Sequence, residues 1–264
     1  MNGILSQASP LPKPFQIKKT LLIFTCVFLA FWCLLWAWAS LTTIRVEQDI
    51  TQWEQNKKTF SVEESHIFES RLLSSLKLNP LSANTHLLLG RLYEQQAINI
   101  LDQSQRNTIE SAEKHYVLAL KKQPTWDYAW AKLANYYSHF YEQLNTYGNI
   151  NIEKQLQEAI NQTIFTGPYE RKTQRVIIPL LFKHWSLIAG LPSTKKQAEK
   201  VLSQSTRYRE NLDLTLKSAK TYNKIHVLKA LLSDKKHIKI LSKYQKQLEK
   251  DKHQHTNKQL KSIN

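Results

Sequence analysis

The chain has 264 residues, only 5 glycines and a formal net charge of +16. Scarce glycine with abundant Lys, Gln and Leu favours helix and argues against a sandwich, a barrel or a doubly wound sheet. The charge is uneven: residues 195–264 hold 18 Lys and Arg against 6 Asp and Glu, a net +12, which leaves +4 for residues 1–194.

A basic half-chain suggests nucleic acid, but the N-terminal region points to a membrane. Residues 21–39, LLIFTCVFLAFWCLLWAWA, carry no charge, and their length matches a bilayer-crossing helix of about 20 residues. Trp36 and Trp38 sit near one end, where interfacial aromatics gather. The rival is a cleaved signal peptide, with AWA at 37–39 as a small-x-small site. A signal core runs about 7–15 residues, shorter than this stretch, so an uncleaved anchor is expected. Lys13, Lys18 and Lys19 precede the span, with no acid before Glu47. The positive-inside rule then puts the N-terminus in the cytoplasm and residues from about 42 onward outside it. Cys26 and Cys33 both fall in the span, so the domain beyond it has no disulfide and no thiol nucleophile.

Ser61 with Glu64 forms a capping-box pattern opening a helix. Two later stretches share one grammar. SLKLNPLSANTHLLLGRLYEQ and ALKKQPTWDYAWAKLANYYSH place Leu, a small residue and Tyr at the same offsets from Pro80 and Pro124: Leu89, Gly90, Tyr93 and Leu133, Ala134, Tyr137. Ala112, Tyr116, Ala119 and Pro124 supply a second-helix pattern between them. This resembles the tetratricopeptide repeat, a helix pair of 34 residues. The spacing from Pro80 to Pro124 exceeds 34 by ten residues, and the excess falls in NILDQSQRNT, residues 99–108, which reads as an enlarged turn. Residues 61–80 read as a preceding second helix. Residues 150–168 read as a degraded following one, with Ile152, Leu156 and Ala159 in its stripe.

Residues 123–141 hold seven aromatics: Trp126, Tyr128, Trp130, Tyr136, Tyr137, Phe140 and Tyr141. They are either a ligand-stacking platform or a helical core. The repeat register puts Trp130 and Tyr137 on core positions, with Trp126 and Phe140 extending that face, so core is expected for most. Tyr128, Asn135 and His139 lie elsewhere on the same helix. In the repeat family those register positions line the concave groove, and the preceding repeat supplies Asn84, Arg91 and Gln95. These six are the candidate partner-binding residues; an ordinary solvated helix face is the competing reading.

Pro179 divides the next segment, so residues 169–178 and 181–188 are expected as a kinked helix or two short ones. Arg171, Lys172 and Arg175 cluster there, a solvated face or an acidic-partner site. Ser193 is the expected N-cap of a helix through residues 194–222. Leu231, Ile238, Leu241 and Leu248 give a weak heptad pattern, and residues 251–264 lack apolar content. The expected organisation is a cytoplasmic segment 1–19, an anchor 20–41, a repeat domain 42–192, a basic helical region 193–250 and a disordered tail 251–264.

No Gly-rich phosphate loop, G-x-S-x-G, H-E-x-x-H or paired-carboxylate signature occurs, so neither an enzyme nor a cofactor is expected. His253 and His255 are too few to fix a metal. NQT at 161–163 is a glycosylation sequon by pattern alone.

The anchor, NPLSANTHLLLGRLYEQ, PTWDYAWAKLANYY and GPYERKTQRVIIPLLFKHW together resemble VpsP-type proteins of bacterial exopolysaccharide clusters, over about residues 20–190. The resemblance implies an accessory factor of polysaccharide production or export, and brings no catalytic residues. With that resemblance, the expected function is an all-α scaffold anchored by a single span in the bacterial inner membrane, its helical-repeat domain in the periplasm, that binds partner proteins of that machinery and no nucleic acid. Two alternatives stand: an envelope-assembly or cytochrome-maturation adaptor, and a basic domain in which residues 195–264 bind acidic glycan or anionic lipid.

Overall fold

The computed structural model describes residues 14–55, 60–99, 104–148, 151–206 and 209–232, with 239 and 242. Every element among them is an α-helix. Two compact units appear, one up to Leu88 and one from Leu89.

The first unit is built on α1 (Pro14–Glu54), a 41-residue helix. At 1.5 Å per residue it is about 60 Å long. Proline occupies its first position, where no N–H is needed, and no glycine or further proline interrupts it. Residues 18–34 are exposed on every side. This apolar part has a mean hydropathy of 2.3 over its best window, enough to cross a membrane by length and composition. Its hydroxyls bond inward, Thr25 Oγ1 to the Leu21 carbonyl at 2.9 Å and Ser40 Oγ to the Trp36 carbonyl at 3.0 Å. They therefore need no water.

From Ala39 onward one face of α1 is buried. Ala39, Thr43, Val46, Ile50 and Trp53 recur at intervals of four and three. Opposite them, α2 (Val62–Leu78) buries Ser65, Phe68, Leu72 and Ser75 at the same intervals. Both stripes follow a 3.5-residue period, the spacing of a coiled-coil seam. The pair is antiparallel. Ser75 Oγ donates to the Ala39 carbonyl at 3.2 Å near one end, and the Trp53, Phe60 and Phe68 rings meet edge to face in series at 5.3 and 5.0 Å near the other. The helix that crosses the expected anchor boundary at residue 41 therefore continues without a break. The Ser61–Glu64 capping box is present in both directions. Ser82 accepts from the Thr85 N–H at 3.2 Å and caps α3 (Ala83–Asn99).

The second unit begins within α3 and continues through α4 (Ser104–Lys122), α5 (Asp127–His139), α6 (Tyr141–Thr146), α7 (Ile152–Thr166), α8 (Arg171–Lys183), α9 (Trp185–Ala189), α10 (Pro192–Ser205), α11 (Arg209–Thr221) and α12 (Ile225–Leu231). Helix α5 lies against α4, α7 and α8, and α8 in turn lies against α10 and α11. Ile152, Leu156 and Ala159 are buried on α7, as the stripe requires.

Several local expectations change. The stretch 99–108 is largely helical where it is described: α3 reaches Asn99, α4 starts at Ser104, and Gln105 Nε2 donates to the Ala97 carbonyl at 3.0 Å, while 100–103 lie outside the described residues. Most of the excess length extends the helices instead. Pro179 does not end α8, which runs on to Lys183 and breaks at His184. Burial of Ile177, Ile178, Leu180, Leu181 and Phe182 holds the helix across the missing N–H. Helix α10 starts with Pro192 at its first position, so Ser193 is inside the helix and not its cap. The single helix expected over 194–222 is two, α10 and α11. Buried polar groups tie them in: Asn211 Nδ2 on α11 donates to Gln174 Oε1 on α8, and Ser205 Oγ on α10 meets Thr215 Oγ1 on α11 at 2.9 Å. Of the heptad positions only Leu231 lies among the described residues, and the tail with His253 and His255 lies outside them.

Candidate functional site

The aromatic helix α5 has two opposed faces. At 100° per residue, positions 130, 133 and 137 share one side and positions 128, 135 and 139 the other.

Three of the seven aromatics, Tyr136, Tyr137 and Phe140, are core; Trp126, Tyr128, Trp130 and Tyr141 are half-buried, so the expectation that most are core does not hold. Tyr136 is 0 % exposed, and Tyr137 and Phe140 are also buried. The Tyr136 ring lies 5.8 Å from Tyr116 and 5.4 Å from Phe140, separations typical of tilted aromatic pairs. Each buried hydroxyl has an acceptor. Tyr136 Oη donates to the Ile109 carbonyl at 3.0 Å and Tyr137 Oη to Glu113 Oε1 at 2.8 Å. Burial, with the nearby Glu113 carboxylate, raises both phenols well above their ordinary pKa. Trp130 departs from the expected pattern. It is only half-buried, and its Nε1 donates to the Pro124 carbonyl at 2.7 Å, which fixes the ring.

Trp130 lines an open recess of about 490 Å³ among α4, α5 and α7. Val117, Leu120 and Leu133 make it apolar, while Lys121, Lys154 and Glu158 stand at its rim. Its size falls in the range of about 300–1,000 Å³ typical of ligand-holding clefts.

The five groove candidates of the second unit, Arg91, Gln95, Tyr128, Asn135 and His139, do not form one open surface. Arg91 is 1 % exposed, so the expectation that it offers donors to a partner fails: a side chain so deeply buried is out of a partner's reach. Asn135 is half-buried, and its Nδ2 donates to the buried Glu94 carboxylate at 3.0 Å. That carboxylate also accepts from Tyr116 Oη. Gln95 and Tyr128 are half-buried, and the Lys132 ammonium lies 5.7 Å from the centre of the Tyr128 ring. His139 is exposed. Asn84 is half-buried on the first turn of α3, in the first unit. Glu94, central to this polar set, was not among the candidates. A lone Glu on an amphipathic helix carries no sequence mark of burial.

A second polar cluster was not legible either. Lys183 Nζ donates to the carbonyl and the hydroxyl of Ser138, both at 2.9 Å. Ser138 Oγ also lies 2.8 Å from His184 Nε2. Burial, and then the Lys183 charge, lowers the His184 pKa to about 4, and the same two causes lower that of His139. A serine, a lysine and a histidine in contact resemble a nucleophile with its base. However, an imidazole with a pKa of about 4 is too weak a base near neutral pH, and Ser138 is buried. The cluster ties the end of α8 to the end of α5. Arg175, one of the basic trio on α8, pairs with Glu210 at 3.0 Å in an exposed ion pair. Among the described residues no three His, Cys, Asp or Glu side chains group together. No family model, curated protein or solved structure matches the chain.

Proposed function

We propose that this chain is a single-pass membrane-anchored helical-repeat scaffold that holds partner proteins of a bacterial exopolysaccharide machine outside the cytoplasm. The anchor reading draws on the apolar, all-round exposed part of α1 and on the lysines before it. The observation that carries the repeat reading is positional. Helices α3 and α5 both start three residues after their proline, at Ala83 and Asp127, and both bury the small residue of the shared grammar, Gly90 and Ala134. The polysaccharide link draws on the resemblance to VpsP-type proteins alone.

Within this reading the Trp130 recess is the better partner site. It is open, apolar and rimmed by charge, which suits an anchoring side chain of a peptide or protein. Photo-crosslinking residues at Lys121 and Gln155, on the recess, and at Tyr128 and His139, on the other face, test it in living cells. Adducts from the recess positions should contain an envelope protein of the polysaccharide apparatus. Adducts from neither face, or adducts with lipid or glycan alone, would refute the scaffold reading. The basic-domain alternative would then take its place.

A further inference from the structure

The end of α2 and the turn that follows it are apolar and uncovered. Leu73 is 40 %, Leu78 37 % and Leu81 67 % exposed. Isolated surface leucines need no explanation, but the position of these does. The Ser75–Ala39 hydrogen bond sets Ser75 level with the outer end of the apolar span. Because the two helices are antiparallel, α2 continues from Ser75 toward the span and not away from it. Leu78 is three residues further on, or about 4.5 Å. This is the level of Trp36, the same distance back along α1. Leu81 follows in the turn between α2 and α3.

The charge pattern agrees. No Asp or Glu occurs between Glu69 and Glu94. Lys77, exposed in the last turn of α2, is the nearest charge to the tip on that helix. A lysine there can keep its stem in the apolar boundary and its ammonium among phosphates. Leu73, Leu76 and Lys77 also line a shallow recess of about 560 Å³.

We infer that the tip of the α1–α2 hairpin is a second membrane contact, with Leu78 and Leu81 inserted into the lipid interface beside Trp36 and Trp38. The occupant of this apolar surface is the bilayer that α1 crosses, so the inference rests on the anchor reading. Its consequence is geometric. A single span leaves its domain free to swivel, whereas a span with a second contact beside it fixes the domain's tilt.

Spin-label accessibility tests this on the full chain in liposomes of phosphatidylethanolamine and phosphatidylglycerol. Single cysteines replace Phe28, Val62, Leu78 or Leu81 in a background with Cys26→Ser and Cys33→Ser. Unchanged far-ultraviolet circular dichroism selects folded variants. Position 62 is at the far end of α2 and serves as the water-exposed reference. The oxygen-to-nickel-chelate collision ratio at 78 and 81 should be several-fold above that at 62 and approach that at 28. If 28 is in lipid but 78 and 81 match 62, the second contact is refuted and the anchor stands. If 78 and 81 are shielded from both reagents, a protein covers them and the inference is equally refuted. A water-exposed 28 would overturn the anchor and this inference together.

Discussion

Gly90→Ala probes the close crossing of α3 and α4. A Cβ at this position would sit 3.0 Å from Cδ1 and Cγ of Tyr116 and 3.1 Å from its Cε1. Those separations are several tenths of an ångström inside ordinary contact, so the ring must move. It has little freedom to do so. Tyr116 is 0 % exposed, its hydroxyl is held by the Glu94 carboxylate, and the Tyr136 ring packs against it. Overpacking of this kind costs about 1–3 kcal/mol. The substitution also removes a mid-helix glycine, which stabilises by roughly 0.5–1 kcal/mol. The clash is the larger effect, and a net loss of about 1 kcal/mol is expected. Urea titration of the full chain in mild detergent, followed by circular dichroism, reads that loss as a lower midpoint with an unchanged slope. Tyr116→Ala supplies the control. In that background the Cγ, Cδ1 and Cε1 atoms that crowd the added methyl are gone, so Gly90→Ala should become neutral or stabilising, a coupling of about 1–2 kcal/mol between residues in contact. If Gly90→Ala is as stable as the parent, and the two substitutions add within about 0.5 kcal/mol, the close-crossing argument is wrong.

Two further outcomes follow from the same structure. Tyr136→Ala should cost about 3–5 kcal/mol, the usual loss for a buried aromatic, while half-buried Trp130→Ala should cost roughly half that; equal losses in the same titration would return Trp130 to the core. Stability should also fall as pH drops from about 6.5 toward about 4. Folded His184 resists the proton that the unfolded chain accepts, so the unfolded state binds more protons in that window. The full shift would be worth about 3 kcal/mol, and solvent screening of the part-exposed ring leaves roughly half. His184→Gln should flatten this slope, and an unchanged slope in the variant would assign the dependence elsewhere.

The helical class, the membrane-length segment and the capping box follow from local properties: composition, a run of apolar residues and a four-residue capping pattern. Helices α3 and α5 each begin three residues after a proline, at Ala83 and Asp127, because proline position and helix start are coupled within a few residues. Burial on one helix face was legible wherever it repeats at intervals of three and four, as at Ile152, Leu156 and Ala159 on α7. Which polar side chain goes inside was not. Arg91 and Glu94 are buried although both look like surface residues in the pattern, and the groups that hold the Glu94 carboxylate, Tyr116 and Asn135, are brought in from other helices. The Ser138–Lys183–His184 contact joins residues 45 and 46 positions apart, a separation that no local periodicity encodes. Pro179 shows the same limit from the other side. Locally it breaks a helix, yet the apolar residues around it gain enough from burial between α5 and α11 to carry α8 past it. The chain thus determines its elements through short-range sterics and hydrophobic period, while packing between distant helices decides which charges are enclosed and which aromatics stay part-exposed.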